Sequence, residues 1–247
     1  PLDPKSPLWK SGAAIITRLE SEARAGKPLS DVVLSGQLGV LALIDKKIAL
    51  RYRSPEREFF GAGLKDQDGL WTAYMTNVMV SAFNTRQVKK DEAPRNVNDL
   101  LNPRWKGKLT MDSQSYVWFG TMLQYVGEEA GLRFMKRLNE QNISHQRGRR
   151  LMTQLVAAGE FDMAVETNLN SVLTLAKQGA PLSFAPIQPY FLSPSLVFMS
   201  ANAPHPYSAA LFIDFLLSEE GQKIVVTTNR MPANNKVKSP ESQLLEG

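Results

Sequence analysis

Short apolar runs alternate along the chain with stretches whose apolar residues recur every three or four positions. That alternation predicts an α/β protein with largely parallel sheets. Helical patterning over Gly12 to Ala25 puts Ile15, Ile16 and Leu19 on one face, and Gly26 with Pro28 stops it. Asp31 to Leu34 reads as a short buried strand, and Ser35-Gly36-Gln37 leads into a helix ending near Asp45. Trp71 to Phe83 reads as two strand segments rich in β formers. Asn96 is placed to cap a helix through Leu101, and Lys108 to Met111 is a strand before an apolar helix over Tyr116 to Val126. Glu128-Glu129 sit where acids favour the start of the next helix, which runs to Asn139.

The second half continues the pattern. Arg147-Gly148-Arg149-Arg150 leads a helix closed by Gly159, and Phe161 to Val165 returns as a strand. Then come Glu166, Thr167, Asn168, Asn170 and Ser171, before a helix closed by Gly179. Ser195 to Ser200 is a strand; His205-Pro206 opens a helix with an expected core face of Leu211, Phe212, Phe215 and Leu216, and Ser218 caps a last helix through Val226. No internal repeat or linker stands out, so two halves are expected to interleave.

One arrangement recurs: a buried strand, a polar cluster, then a helix. The clusters are Ser35 to Gln37, Asp112 to Ser115, Arg147 to Arg150, and Glu166 to Ser171, with only Ile143 to His145 to serve as a strand before the third. Ser, Asn and Asp are preferred helix caps, so each cluster alone reads as capping. Four together point to a shared cleft, because ligands in open α/β sheets sit beyond the carboxyl ends of strands, where helix starts offer unpaired N–H groups to anions.

Composition narrows the function. The chain has 247 residues, 43% hydrophobic, enough for a core in one large domain or two lobes. Its formal charge of +5 comes from 29 basic and 24 acidic side chains that are interspersed. That balance tolerates an anionic partner, and without a basic stripe interleaved with aromatics no nucleic-acid partner is expected. The absence of cysteine removes disulfides, thiolate metal sites and a cysteine nucleophile. No apolar run reaches the roughly 18 residues needed to span a bilayer, and no charged-then-apolar leader opens the sequence.

Catalytic signatures are missing. No nucleophile elbow, Walker loop, paired-histidine zinc motif or dinucleotide fingerprint occurs, and His145 and His205 are the only histidines. His205, between two prolines, reads as an exposed loop residue. Asp112 and Glu166 have the chemistry for acid and base, but nothing in one sequence brings them together. Arg147, Arg149 and Arg150 either fork onto an anion or form a solvated helix start. Tyr74, Tyr116, Trp118, Tyr190 and Phe191 lie beside the polar clusters, where they either wall a pocket or pack in cores. No catalytic residue, metal ligand or cofactor is assigned.

The segments EARAGKPLSDVVLSG, YRSPERE, DLLNPRWKGKLTMD, LVAAGEFDMAV, KQGAP and NAPHPYSAALFIDFLLSEEGQ resemble extracellular solute-binding proteins of ABC importers, in the branch with ferric-iron receptors. The resemblance covers nearly the whole chain. It implies a two-lobed type II periplasmic-binding fold with a ligand cleft between the lobes, joined by strands crossing near Met79 to Phe83 and Pro189 to Val197. Lobe one would comprise 1–80 and 196–247, and lobe two 81–195. It also implies a periplasmic or membrane-tethered receptor that passes a small solute to an ABC permease. A monomer is expected. Relatives usually begin with a leader, a strand and a helix ahead of the one at Gly12, so a first strand and helix are expected to be missing here.

The resemblance departs at the ligand positions. Ferric receptors carry adjacent tyrosines where this chain has Asn170 and Ser171, and an acidic ligand where it has Gly36. Neutral side chains suit a trivalent iron poorly. The expected ligand-binding residues are therefore Ser35, Gly36, Tyr74, Asp112, Ser113, Ser115, Arg149, Glu166, Asn168 and Asn170, gathered around a polar, anionic solute. Alternatives are a ferric receptor using Tyr74 or Tyr190, an effector-sensing domain of a transcription regulator, and an enzyme on the same scaffold.

Overall fold

In the computed structural model, residues 12–185 and 187–243 are described. Their elements in chain order are α1 (Gly12–Arg24), β1 (Val32–Gly36), α2 (Gln37–Ile44), β2 (Ala49–Leu50), β3 (Thr72–Asn84), β4 (Leu109–Asp112), α3 (Tyr116–Val126), α4 (Glu128–Asn139) and β5 (Ser144–Gln146). There follow α5 (Arg149–Ala158), β6 (Met163–Asn168), α6 (Leu169–Lys177), β7 (Leu182–Ala185), β8 (Phe191–Ser200), α7 (Pro206–Leu217), α8 (Glu219–Thr227), β9 (Met231–Pro232) and α9 (Pro240–Gln243). Ile16, expected on the inward face of α1, has a side chain outside the described ones, and residues 1–11 and 244–247 of the expected first lobe lie outside as well.

The chain builds two units, each with its own apolar core. Among the described residues the first comprises 12–76, 194–227 and 231–242; the second comprises 77–185 and 187–193 with 228–230 and Gln243. Strands β3 and β8 carry the chain from one to the other, with breaks at Thr76/Asn77 and Ser193/Pro194.

In the first unit, β1 pairs antiparallel with β8 from Val32↔Met199 to Gly36↔Ser195, and β9 pairs with β3 at Met75↔Pro232. Val33, Leu196 and Phe198 from the sheet meet Val40 and Leu43 of α2 and Ile213 and Leu217 of α7. The buried stripe of α7 is Ala209, Ile213 and Leu217, four residues apart. This corrects three of the four residues of the expected core face: Leu211 is 72% exposed, and Phe212 and Phe215 also stand on the outside, while half-buried Leu216 does pack against the core. Gln222 of α8 is 0% exposed and fully bonded. Its Nε2 donates to the carbonyls of Tyr74 (2.7 Å) and Leu216 (2.9 Å), while its Oε1 accepts from the N–H groups of Ala233 (2.7 Å) and Asn234 (3.2 Å).

In the second unit, β4 lies between β5 and β6 and runs parallel to both, as at Thr110↔Ser144 and Thr110↔Ala164. Strand β6 pairs antiparallel with β3 from Met79↔Asn168 to Phe83↔Met163, and β7 pairs with β3 from Ser81↔Ala185 to Asn84↔Leu182. The expectation of largely parallel sheets is thus corrected: parallel pairing is described for β4, β5 and β6, while the two crossing strands bring antiparallel ladders. Trp71 to Phe83 also resolves into one continuous strand, because β3 serves both units.

Local chemistry explains the boundaries. Asn96 caps the 3₁₀ turn Val97–Leu101 in a reciprocal box with Asp99. Glu128 and Glu129 open α4 and Lys136 and Arg137 close it, matching the helix dipole at both ends. Gly159 ends α5 at φ 91°, a left-handed conformation that a Cβ disfavours. The core holds Met79, Phe83, Trp105, Leu109, Met111, Met122 and Leu138 among others. Trp118 and Phe191, considered as pocket walls, are 5% and 7% exposed and pack edge to face at 6.3 Å. They are core aromatics.

Candidate functional site

The carboxyl ends of three parallel strands share one edge of the second unit's sheet, and each leads into a helix: β4 into α3, β5 into α5, β6 into α6. In none of these helices does the N-cap side chain accept from a helix N–H; the caps are Ser115, Gly148 and Asn168. Their first-turn N–H groups have no partner within the helix, which leaves the edge with donors for an anion.

A bonded network ties the three starts together. Glu166, near the end of β6, is 0% exposed. Its Oε2 accepts from Nε of Arg149 in the first turn of α5 at 2.8 Å, and its Oε1 accepts from the Ser115 hydroxyl at the start of α3. Burying a carboxylate demands such partners. Arg149 keeps 25% of its side chain exposed, and its two terminal nitrogens carry no hydrogen bond among the described residues. It therefore presents half a guanidinium outward from a fixed base. One turn on, the Thr153 hydroxyl donates to the Arg149 carbonyl at 2.8 Å and shares a 2.7 Å bond with the Thr167 hydroxyl.

Asp112 is 6% exposed. It accepts from the N–H groups of Gln114 (3.0 Å) and Gly148 (3.4 Å), and the Ser113 N–H donates to the Gln146 carbonyl (2.8 Å). The loops after β4 and β5 are thereby fixed to each other. The Ser113 side chain is exposed on this loop. Asn168 is half-buried at the junction of β6 and α6, and Asn170, in the first turn of α6, holds a buried Oδ1 with no donor among the described residues.

The structure thus brings Asp112, Ser113, Ser115, Arg149, Glu166, Asn168 and Asn170 to one edge of one unit, in two layers. Ser115, Asp112 and Glu166 are buried and bonded to protein; Ser113, Arg149, Asn168 and Asn170 retain free polar atoms. Glu166, expected among the ligand-binding residues, is instead bonded inside the protein, as is Thr167, because β6 extends to Asn168. Thr153, which supports Arg149, was not singled out from the sequence; its hydroxyl four residues after Arg149 was the available signal.

Ser35, Gly36 and Tyr74 belong to the first unit. Ser35 lies opposite Leu196 and Gly36 opposite Ser195 in the β1–β8 ladder, and exposed Gly36 caps α2 without a side chain. This corner repeats the strand-to-helix build of the second unit. Tyr74 packs half-buried against the first unit's core, and its carbonyl receives Gln222. Tyr190 is half-buried, and burial pushes its hydroxyl above the usual tyrosine range. Among the described residues no group of three or more His, Asp or Glu side chains is placed to hold a metal ion.

Residues 29–244 match the family described as bacterial extracellular solute-binding protein. The chain is 25% identical over 173 residues to the Fe(3+)-binding periplasmic protein of Serratia marcescens, covering 65% of this chain and 50% of that one. It thus spans about half the length of that relative. Among solved structures, the periplasmic binding protein AfuA from Actinobacillus pleuropneumoniae, with exogenous fructose-6-phosphate bound, is 25% identical with a TM-score of 0.79, covering 93% of this chain and 76% of that chain. Iron-bound HitA from Pseudomonas aeruginosa reaches a TM-score of 0.84 at 18% identity, covering 96% and 81%, which speaks for the shared fold. With the fold of periplasmic binding proteins and the family's pattern running over 29–244, the chain belongs to the bacterial extracellular solute-binding proteins.

Proposed function

We propose that the protein captures a small anionic, polar solute and delivers it to the membrane permease of an ABC importer. The single observation that carries this reading is Arg149, held at Nε by buried Glu166 while its outer nitrogens stay unbonded beside three helix starts without side-chain caps. A guanidinium fork with several N–H donors suits a phosphate or carboxylate. Buried Asn170 Oδ1 adds an acceptor, which favours a solute that also carries a hydroxyl donor. The fructose-6-phosphate bound to AfuA combines both features.

In this reading the two lobes are 1–80 with 196–247 and 81–195, and Ser35 and Gly36 supply a second wall when the lobes close on the solute. Closure then reports occupancy to the permease, because a solute touching both lobes favours the closed state by its differential affinity. The periplasm is the proposed compartment.

The names of the Serratia relative and of HitA favour iron as a second reading. Calorimetric titration with fructose 6-phosphate and with inorganic phosphate, beside visible absorbance on adding ferric citrate, separates the two. The anion reading expects saturable phosphate-ester binding that falls at least about tenfold in Arg149→Met, the loss of one charge-assisted contact. A strong tyrosinate-to-iron band with no heat from either phosphate would overturn it.

A further inference from the structure

A cavity opens in the same unit, away from the edge that gathers Arg149 and Asn168. It has a volume of about 740 Å³ and lies where β3 ends and β7 begins. In the β3–β6 ladder Asn168 faces Met79, whereas Phe83 faces Met163 at the other end. Four residues of extended chain separate Met79 from Phe83, roughly 13 Å at 3.3 Å per residue. The cavity therefore belongs to the opposite end of the strands.

Its lining divides by chemistry. Phe83 and Ala93 form an apolar floor continuous with the core, and half-buried Phe184 forms a wall. Ser183, opposite Phe83 in the β3–β7 ladder, makes no side-chain hydrogen bond among the described residues. Exposed Lys90, Asp91 and Arg95 form the rim. Neither Lys90 nor Asp91 is in an ion pair among the described residues; Arg95 is fixed through its backbone N–H, which donates to Asp99 at 2.8 Å. Two cations and one anion leave the rim with a single positive charge. A volume of this size, an apolar floor and a few polar groups at one side match the build of small-molecule sites.

We propose that this cavity binds a small monoanionic amphiphile, its acidic head on Lys90 and Arg95 and its apolar or aromatic body against Phe184. An aromatic carboxylate has this chemistry, and the apolar wall gives it a contact that inorganic phosphate lacks.

The test uses 4-(trifluoromethyl)benzoate followed by fluorine NMR, with the whole chain. Saturable line broadening is expected, undiminished by excess fructose 6-phosphate. Binding should weaken at least tenfold in Lys90→Glu/Arg95→Glu, whose side chains are exposed, and should vanish in Ser183→Trp, which fills the space. The neutral 4-(trifluoromethyl)benzamide should bind at least tenfold more weakly. Equal binding of the benzamide, retention of affinity in both variants with unchanged circular dichroism, or displacement by fructose 6-phosphate would each overturn the proposal.

Discussion

Replacing Gln222 with methionine keeps the length of a side chain that is 0% exposed and deletes four hydrogen bonds. The carbonyls of Tyr74 and Leu216 have second lone pairs and tolerate the loss better. The N–H groups of Ala233 and Asn234 do not, since a buried donor has one hydrogen to place. Each orphaned buried group costs about 1–3 kcal/mol, so the two donors alone set an expectation of about 4 kcal/mol. Against a typical total of about 5–15 kcal/mol, that is a large fraction. With a urea slope of about 2 kcal/mol per molar, the midpoint should fall by about 2 M at unchanged slope. Hydrogen exchange at Ala233 and Asn234 should accelerate in parallel. Gln222→Glu refines the test: a carboxylate there would face two carbonyls, which raises its folded-state pKa above the unfolded value. Its stability is then highest below the unfolded pKa and is lost as pH rises through the folded one. A methionine variant within about 0.5 M urea of the parent would refute the claim that these bonds hold α8, β3 and β9 together.

Other perturbations separate further parts of the design. A Cβ at Gly221 would stand 2.1 Å from the Phe215 carbonyl oxygen and 3.0 Å from Leu216 Cα, so Gly221→Ala should cost about 3 kcal/mol or more in chemical denaturation. At Gly131 the closest atom is Leu123 Cδ2, a side-chain end that can move, so Gly131→Ala should cost clearly less. Glu166→Ala strips the acceptor from Arg149 and Ser115 and should destabilise the protein by about 3 kcal/mol, reduced from the fully buried case because Arg149 retains water contact; a smaller loss than in Ser115→Ala would contradict the network. Burial, then the 2.7 Å bond to Asp214, raises the Tyr52 hydroxyl to about 12. Because the folded pKa exceeds the unfolded value, this tyrosine holds its proton in the fold while the unfolded chain ionises. Stability is intact below about pH 10 and falls between about 10 and 12, and Tyr52→Phe should lessen that alkaline loss in melts.

Helix boundaries were legible where punctuation was strong. Gly127 with two following glutamates separates α3 from α4, and both helices occupy the residues read from the sequence. The orientation of α7 was not legible, because Leu211, Phe212 and Phe215 on one side and Ala209, Ile213 and Leu217 on the other are all apolar, and periodicity then has no phase. Three of the four polar clusters did mark one sheet edge, since helix starts demand such residues, while Ser35 to Gln37 lies in the first unit. Which side chains face outward was hidden: β6 runs on through Glu166 to Asn168 because its backbone pairs with Val80 and Met79, and Glu166 is consumed by an arginine seventeen positions earlier. No local pattern announces a partner at that separation.

The uneven division of the chain has a temporal consequence. The segment 77–193 is almost self-sufficient, so its strands can pair as soon as it leaves the ribosome. Strand β1 must wait for β8, and the donors that Gln222 receives come only with residues 233 and 234. Until β8 is made, β1 and β2 have no native partner, and a chain cut short before β9 would still leave the Gln222 carbonyl oxygen without its two donors while the central segment is already largely paired.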